Sequence, residues 1–145
     1  MANIKGHRKS LGVDIGGSSI KFCLIDGRSK SILDTNTVPH TSGTRTDTII
    51  QDIMNQIEEW KFIGSLGIGF PGIVDKMVIV DAPNLGHWWN GFDFRTHFTH
   101  HEIEVVSVLN DADAAAVAMI EQTRSWSEEN ILCLTIGTGI GSGWI

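Results

Sequence analysis

Leu11-Gly12-Val13-Asp14-Ile15-Gly16-Gly17-Ser18-Ser19-Ile20-Lys21-Phe22 is the stretch on which the fold turns. Leu11 to Ile15 is an apolar run holding one acid, Gly16 to Ser19 interrupt it, and Ile20 to Ile25 resume it. Two such runs around a glycine-rich break spell a β-hairpin. Ser31 to Val38 reads as a third strand ending before Pro39, and Thr41 to Thr46 as a Ser/Thr/Gly loop. Thr48 to Phe62 carries Ile49, Ile50, Ile53, Met54, Ile57 and Trp60 at helical spacing. Ser65 to Phe70 is a strand stopped by Pro71-Gly72, and Met77 to Val80 a short one before Ala82-Pro83-Asn84. Phe92 to Glu102 is expected as a helix and Glu104 to Leu109 as a Val-rich strand. Ala112 to Arg124 follows as an alanine-rich helix and Ile131 to Ile136 as a last strand. Strands alternating with helices predict an α/β domain with a mixed sheet covered on both faces and antiparallel at its opening edge.

The chain has 145 residues, 41% of them hydrophobic and 19% charged, which suits one soluble globular domain spanning 1–145. Its net charge of -6 gives no general pull on nucleic acid or an anionic membrane. Any phosphate must therefore be held by local features. Cys23 and Cys133 lie in apolar runs without metal-ligand spacing, so both are expected as buried free thiols in a reducing compartment. Met1 to Ser10 lacks an apolar core for a signal peptide, and no apolar run is long enough to span a bilayer. A cytoplasmic location is expected. The sequence stops at Trp144-Ile145, just after a glycine turn that ought to lead into another strand, and so reads as truncated.

Three segments carry chemistry. In the first, a turn free of Cβ atoms at Gly16 and Gly17 lets backbone N–H groups approach an anion, while Ser18 and Ser19 add hydroxyls and Lys21 a cation. Asp14 beside it is either a buried polar residue of a plain hairpin or a Mg²⁺ ligand, directly or through water, since a carboxylate next to phosphate needs a cation between them. The second is Gly137-Thr138-Gly139-Ile140-Gly141, which fits neither the dinucleotide-binding fingerprint nor the P-loop. The third is Asn110-Asp111, between a strand and a helix. These residues are good helix caps, yet the C-terminal ends of strands are also where α/β sheets bind ligands. Asp111 there can accept a proton from a hydroxyl, and Asn110 can hold a sugar hydroxyl. Asn84 is a further candidate for sugar binding. Trp88 and Trp89 suit either sugar stacking or core packing. His97, His100 and His101 read as a solvated face rather than a metal site.

Together these segments resemble the ROK sugar kinases of the actin-like ATPase superfamily. Asp14-Ile15-Gly16-Gly17-Ser18 with Lys21 is similar to that superfamily's first phosphate motif. Asn110-Asp111-Ala112-Asp113-Ala114-Ala115 is similar to the ROK catalytic segment, and Gly137 to Gly141 to a ROK glycine-rich segment. Phe70-Pro71-Gly72 and Pro83-Asn84-Leu85 match ROK sugar-site loops. Within the family the likeness is greatest to polyphosphate glucokinases. The resemblance implies an actin-like (ribonuclease H-like) domain with a mixed five-stranded sheet. It implies Asp111 as the base acting on the 6-hydroxyl of glucose or a similar hexose, and Gly72, Asn84 and Asn110 as sugar-site residues. Polyphosphate or ATP would be the donor and Mg²⁺ the cofactor, with Gly137, Thr138 and Gly139 completing the phosphate site. It further implies a second lobe, absent here, and a homodimer at full length. The alternative is a non-catalytic sugar-binding or regulatory module of the same kind.

Overall fold

The computed structural model describes residues 9–41, 43–98, 102–123, 132–136 and 140–144. β1 (Lys9–Ile15) and β2 (Ser19–Asp26) form the expected hairpin, with Asp14 opposite Lys21. β3 (Ile32–Pro39) pairs antiparallel with β2. After α1 (Thr46–Glu59), β4 (Gly64–Phe70) runs parallel to β1. β5 (Ile73–Asp75) and β6 (Val78–Asp81) make a small separate hairpin. A 3₁₀ turn at His87–Trp89 and α2 (Phe94–Phe98) lead to β7 (Ile103–Asn110), parallel to β4. α3 (Asp111–Thr123) follows, then β8 (Leu132–Ile136) and β9 (Ile140–Trp144) as a second hairpin. The main sheet is mixed and five-stranded, in the order β3-β2-β1-β4-β7.

Period-two patterning explains which face is covered. Leu11, Val13 and Ile15 of β1, Ile20, Phe22 and Leu24 of β2, and Leu66, Ile68 and Phe70 of β4 are buried in one cluster with Ile49, Ile53 and Ile57 of α1. Asn36 of β3 reaches the same side and donates to Gln56 of α1. α1 ends in a Schellman motif: Phe62 N–H bonds Ile57 C=O at 2.9 Å and Lys61 N–H bonds Glu58 C=O at 3.0 Å. Lys61 supplies the left-handed residue at φ 46°, and Phe62 after it is buried. The helix therefore stops at Glu59, short of the expected Phe62.

The other face is different in kind. Gly12 on β1, and Gly67 and Gly69 on β4, alternate with the buried residues and leave the sheet backbone bare. α3 lies over part of this face with Ala114, Ala115 and Ala118. Gly143 of β9 backs onto Ala112 and Ala116 from the other side of α3. Both faces of the sheet thus carry helices, as expected.

Several expectations are corrected. The helix expected over Phe92–Glu102 is five residues long, Phe94–Phe98, and Glu102 is left-handed at φ 53°. Its Phe94 joins Phe70, Trp89 and Phe92 in an aromatic cluster with centroids 4.9–6.3 Å apart, so packing rather than helical period set those positions. Arg95 grips Asp93 through its side chain and holds that carboxyl below its ordinary pKa. β5, only three residues beside Pro71-Gly72, is a strand that the sequence reading did not assign. Cys23 is half-buried rather than fully buried, because it faces the bare side of the sheet, while Cys133 is buried; both are free.

The core assignment has a direct check. Ile53→Ala is expected to lower unfolding free energy by roughly 2–5 kcal/mol in urea titration. Val117→Ser, on the exposed side of α3, is expected to stay within about 0.5 kcal/mol. Equal effects would mean that α1 does not pack as described.

Candidate functional site

Three parallel strands end side by side. Asp14 of β1 pairs with Gly69 of β4, and Gly69 pairs with Leu109 of β7. Two strand spacings separate β1 from β7, about 10 Å. A bulge at Val106 lets Ser107 pair with Gly67, and so turns Ser107 and Leu109 toward the bare face. Asp14, Lys21, Cys23, Gly69, Ser107 and Asp111 accordingly border one cleft of about 780 Å³.

Asp14 stands over bare backbone. A Cβ on Gly69 would come within 3.4 Å of Asp14 Oδ1, so glycine leaves that carboxylate room to lie across β4. Lys21 Nζ is 3.5 Å from Asp14 Oδ2, with both side chains about half-exposed or more. A pair that exposed contributes little to stability. Oδ1 takes no hydrogen bond among the described residues and stays available to a ligand.

The turn after Asp14 is closed by Gly16 N–H donating to Ser19 C=O at 2.8 Å. A Cβ on Gly16 would sit 3.1 Å from that same oxygen, so Gly16 is bare because the turn is tight. Gly17 is different: nothing lies within 4 Å of where its Cβ would be. The fold does not need glycine there, which fits close approach by something from outside. Gly17 and Ser18 are exposed, and among the described residues their backbone N–H groups have no partner.

At the end of β7, Asn110 caps α3. Its Oδ1 accepts from Ala112 N–H at 2.9 Å, and Asp111 Oδ1 accepts from the same group at 2.9 Å. Asn110 Nδ2 donates to Gly72 C=O at 3.0 Å. Gly72 is fixed in turn, since a Cβ there would run into Asp81 C=O and the Phe70 ring. A chain of contacts therefore runs from the aromatic cluster through Phe70 and Gly72 to the start of α3. Asp111 itself is exposed and faces the cleft.

Not every expected residue meets here. Asn84 is exposed in the turn where Leu85 and Gly86 N–H groups bond Ala82 C=O, and it does not border the cleft. Trp89 is fully buried in the aromatic cluster, so core packing is its role. Trp88 is 47% exposed beside His87, with the Arg45 guanidinium 5.5 Å from its ring centre. His97 stacks on Phe92 at 4.3 Å. Gly137, Thr138, Gly139, His100 and His101 lie outside the described residues. Among the described residues no cluster of three or more acidic, His or Cys side chains forms a metal site, and no helix is long and apolar enough to cross a membrane. Ser107 and Gly69 were missed. The signal for Gly69 was the alternation Leu66-Gly67-Ile68-Gly69, which marks one packed face and one open face, while Ser107 depends on the bulge and had none.

The capping contacts can be measured separately from any activity. Asn110→Ala is expected to lower stability by about 1–3 kcal/mol, as it strips a cap and leaves Gly72 C=O unpaired. Asn110→Asp keeps the acceptor for Ala112 but loses the donor to Gly72. It should retain part of that loss in denaturant unfolding. A neutral Ala variant would show that the contacts carry no weight.

The family description that matches residues 10–145 is the ROK family. A polyphosphate glucokinase of Mycobacterium tuberculosis is 32% identical over 96% of this chain and 54% of its own length. A glucokinase of Streptomyces coelicolor is 32% identical over 94% of this chain and 43% of its own. Among solved structures, an inorganic polyphosphate/ATP-glucomannokinase from Arthrobacter sp. superposes with a TM-score of 0.80 at 28% identity, covering 95% of this chain and 58% of its own. A glucokinase from Streptomyces griseus, solved with glucose and AMPPNP, gives a TM-score of 0.77 at 29% identity, covering 94% and 44%. The chain spans about half the length of the curated relatives it matches.

Proposed function

We propose that this chain, which belongs to the ROK family, is the first of two lobes of a hexose kinase. It moves the terminal phosphoryl group of polyphosphate or ATP to the 6-hydroxyl of glucose or a similar sugar. The observation that carries this reading is the shared cleft: Asp14 and Lys21 on one side and Asp111 on the other, with Gly69 bare between them. Relatives named polyphosphate glucokinase and glucokinase support the class of reaction.

In this reading the Gly16-Gly17-Ser18-Ser19 turn holds phosphoryl oxygens through the N–H groups of Gly17 and Ser18 and the hydroxyls of Ser18 and Ser19. Lys21 adds positive charge. Asp111 accepts the proton of the sugar 6-hydroxyl as that oxygen bonds to the terminal phosphorus. The bond from phosphorus to the bridging oxygen then breaks, leaving the shortened donor. Little covalent chemistry is asked of the protein, so positioning and charge do most of the work.

Asp14 fits a role in holding Mg²⁺. That ion is commonly held by one or two carboxylates with waters and substrate phosphates, and Oδ1 of Asp14 is open. When bound, it supplies charge that offsets the donor's phosphates. Asn110 and Gly72 shape the sugar side. The second lobe closes over the cleft and excludes water.

The test uses a full-length version. Asp111→Asn is expected to lower kcat by at least about a hundredfold while glucose affinity changes little. Equal losses in kcat and affinity would make Asp111 a sugar ligand rather than the base. The 145-residue chain alone, assayed with glucose and either polyphosphate or ATP, is expected to turn over far below ordinary rates of about 1–10³ per second.

A further inference from the structure

The first glycine turn is gripped from behind by a residue the reaction does not otherwise use. His40 follows β3, whose Pro39 pairs with Ser19. His40 backbone N–H donates to Ser18 C=O at 2.9 Å. Its ring Nε2 lies 2.9 Å from Gly16 C=O. A carbonyl oxygen can only accept, so Nε2 carries the hydrogen in that contact. One residue therefore holds two carbonyls of the same four-residue turn. The other ring nitrogen lies 3.2 Å from Thr41 C=O, but a neutral ring has one N–H, so with the hydrogen on Nε2 that second contact is not a hydrogen bond.

This grip has a directional consequence. Among the described residues no peptide bond is cis. In a trans peptide the C=O of one residue and the N–H of the next point opposite ways. Drawing Gly16 C=O back to His40 therefore turns the Gly17 N–H away from His40. That N–H has no partner among the described residues, and the space beside Gly17 is open. Glycine flanks this peptide on both sides, at Gly16 and Gly17, and glycine populates more backbone conformations than any other residue. A clamp outside the turn is what such a glycine lacks.

We propose that His40 is a positioning residue for the phosphoryl donor: it locks the Gly16–Gly17 peptide so that the Gly17 N–H faces the incoming phosphate. The inference rests on reading this turn as a phosphate site. It adds that the site is preorganised from β3, by a side chain that does not touch the donor. Preorganisation of a donor N–H improves binding by removing the ordering that would otherwise oppose it.

The test needs no turnover and uses the 145-residue chain. Tripolyphosphate with Mg²⁺ is titrated into the unsubstituted chain, His40→Ala and His40→Gln, with backbone amide shifts of Gly16 to Ser19 as the readout. Hydrogen exchange of the Gly16 N–H and a thermal melt are measured on each. Gln is the informative substitution, because its amide nitrogen reaches about as far as Nε2 and can donate to the same carbonyl. His40→Ala is expected to weaken tripolyphosphate binding about tenfold and to speed Gly16 exchange. His40→Gln should recover most of the affinity. If the Ala variant does not fold, His40→Leu replaces it, filling the space without a donor.

Equal affinity in the donor-less variant, or a Gln variant no better than it, overturns the clamp and leaves the phosphate reading standing. No shift at Gly16 to Ser19 in the unsubstituted chain overturns the phosphate reading itself, and the clamp's purpose with it.

Discussion

The parallel pairing of β1, β4 and β7 is the constraint on which the site depends. Register along these strands places Asp14, Gly69 and Leu109 in one row, and Asp111 follows two residues beyond Leu109. A slip of one residue would flip every side chain to the opposite face. Asp14 would then be driven into the packed layer with Ile49 and Ile53, and Val13 into the cleft. The apolar residues that alternate with the glycines prevent this. Leu11, Val13, Leu66 and Ile68 have to lie against α1, which fixes where Gly12, Asp14, Gly67 and Gly69 point. Burial on one face thus sets the chemistry on the other.

That division explains how much was legible in the sequence. The hairpin around Gly16-Gly17, the amphipathic α1 and the alanine-rich α3 follow from period and composition, and their positions agree with the structure to within a few residues. Asp111 was placed at the start of α3 by the same logic, as cap chemistry and strand-end chemistry coincide there. What escaped is what depends on contact. The bulge at Val106 has no local signature, yet it decides that Ser107 faces the cleft. The helix around Phe94 shrank because aromatic packing, not helical period, ordered those rings. Cys23 was read as buried from its apolar neighbours, although register with Gly12 puts it on the open face. Asp14, Lys21 and Asp111 border the cleft, whereas Asn84, like Gly72 and Asn110, does not line it.

The two ends of the cleft are supported differently. The Asp111 end is stiff: Asn110 bonds both Ala112 and Gly72, and Gly72 is wedged against Phe70 and Asp81. The Asp14 end rests on a turn that contains two glycines and is hydrogen-bonded by His40 at two of its carbonyls. In the proposed reaction, a fixed Asp111 as proton acceptor and a glycine turn held from outside as phosphate cradle suit chemistry governed by positioning. Side chains around both ends therefore matter as much as the ones that border the cleft.

The proposed anion-and-metal locus lies between Asp14 and Asp111, over Gly69. Paramagnetic broadening tests it most directly, with Mn²⁺ in place of Mg²⁺ added to the chain together with tripolyphosphate and glucose. Broadening should be strongest at the amides of Asp14, Gly17 and Gly69, extend to Asp111, and largely vanish in Asp14→Asn. Broadening centred elsewhere, such as around Asp93 or on the β8–β9 hairpin, with the cleft resonances untouched, would contradict it.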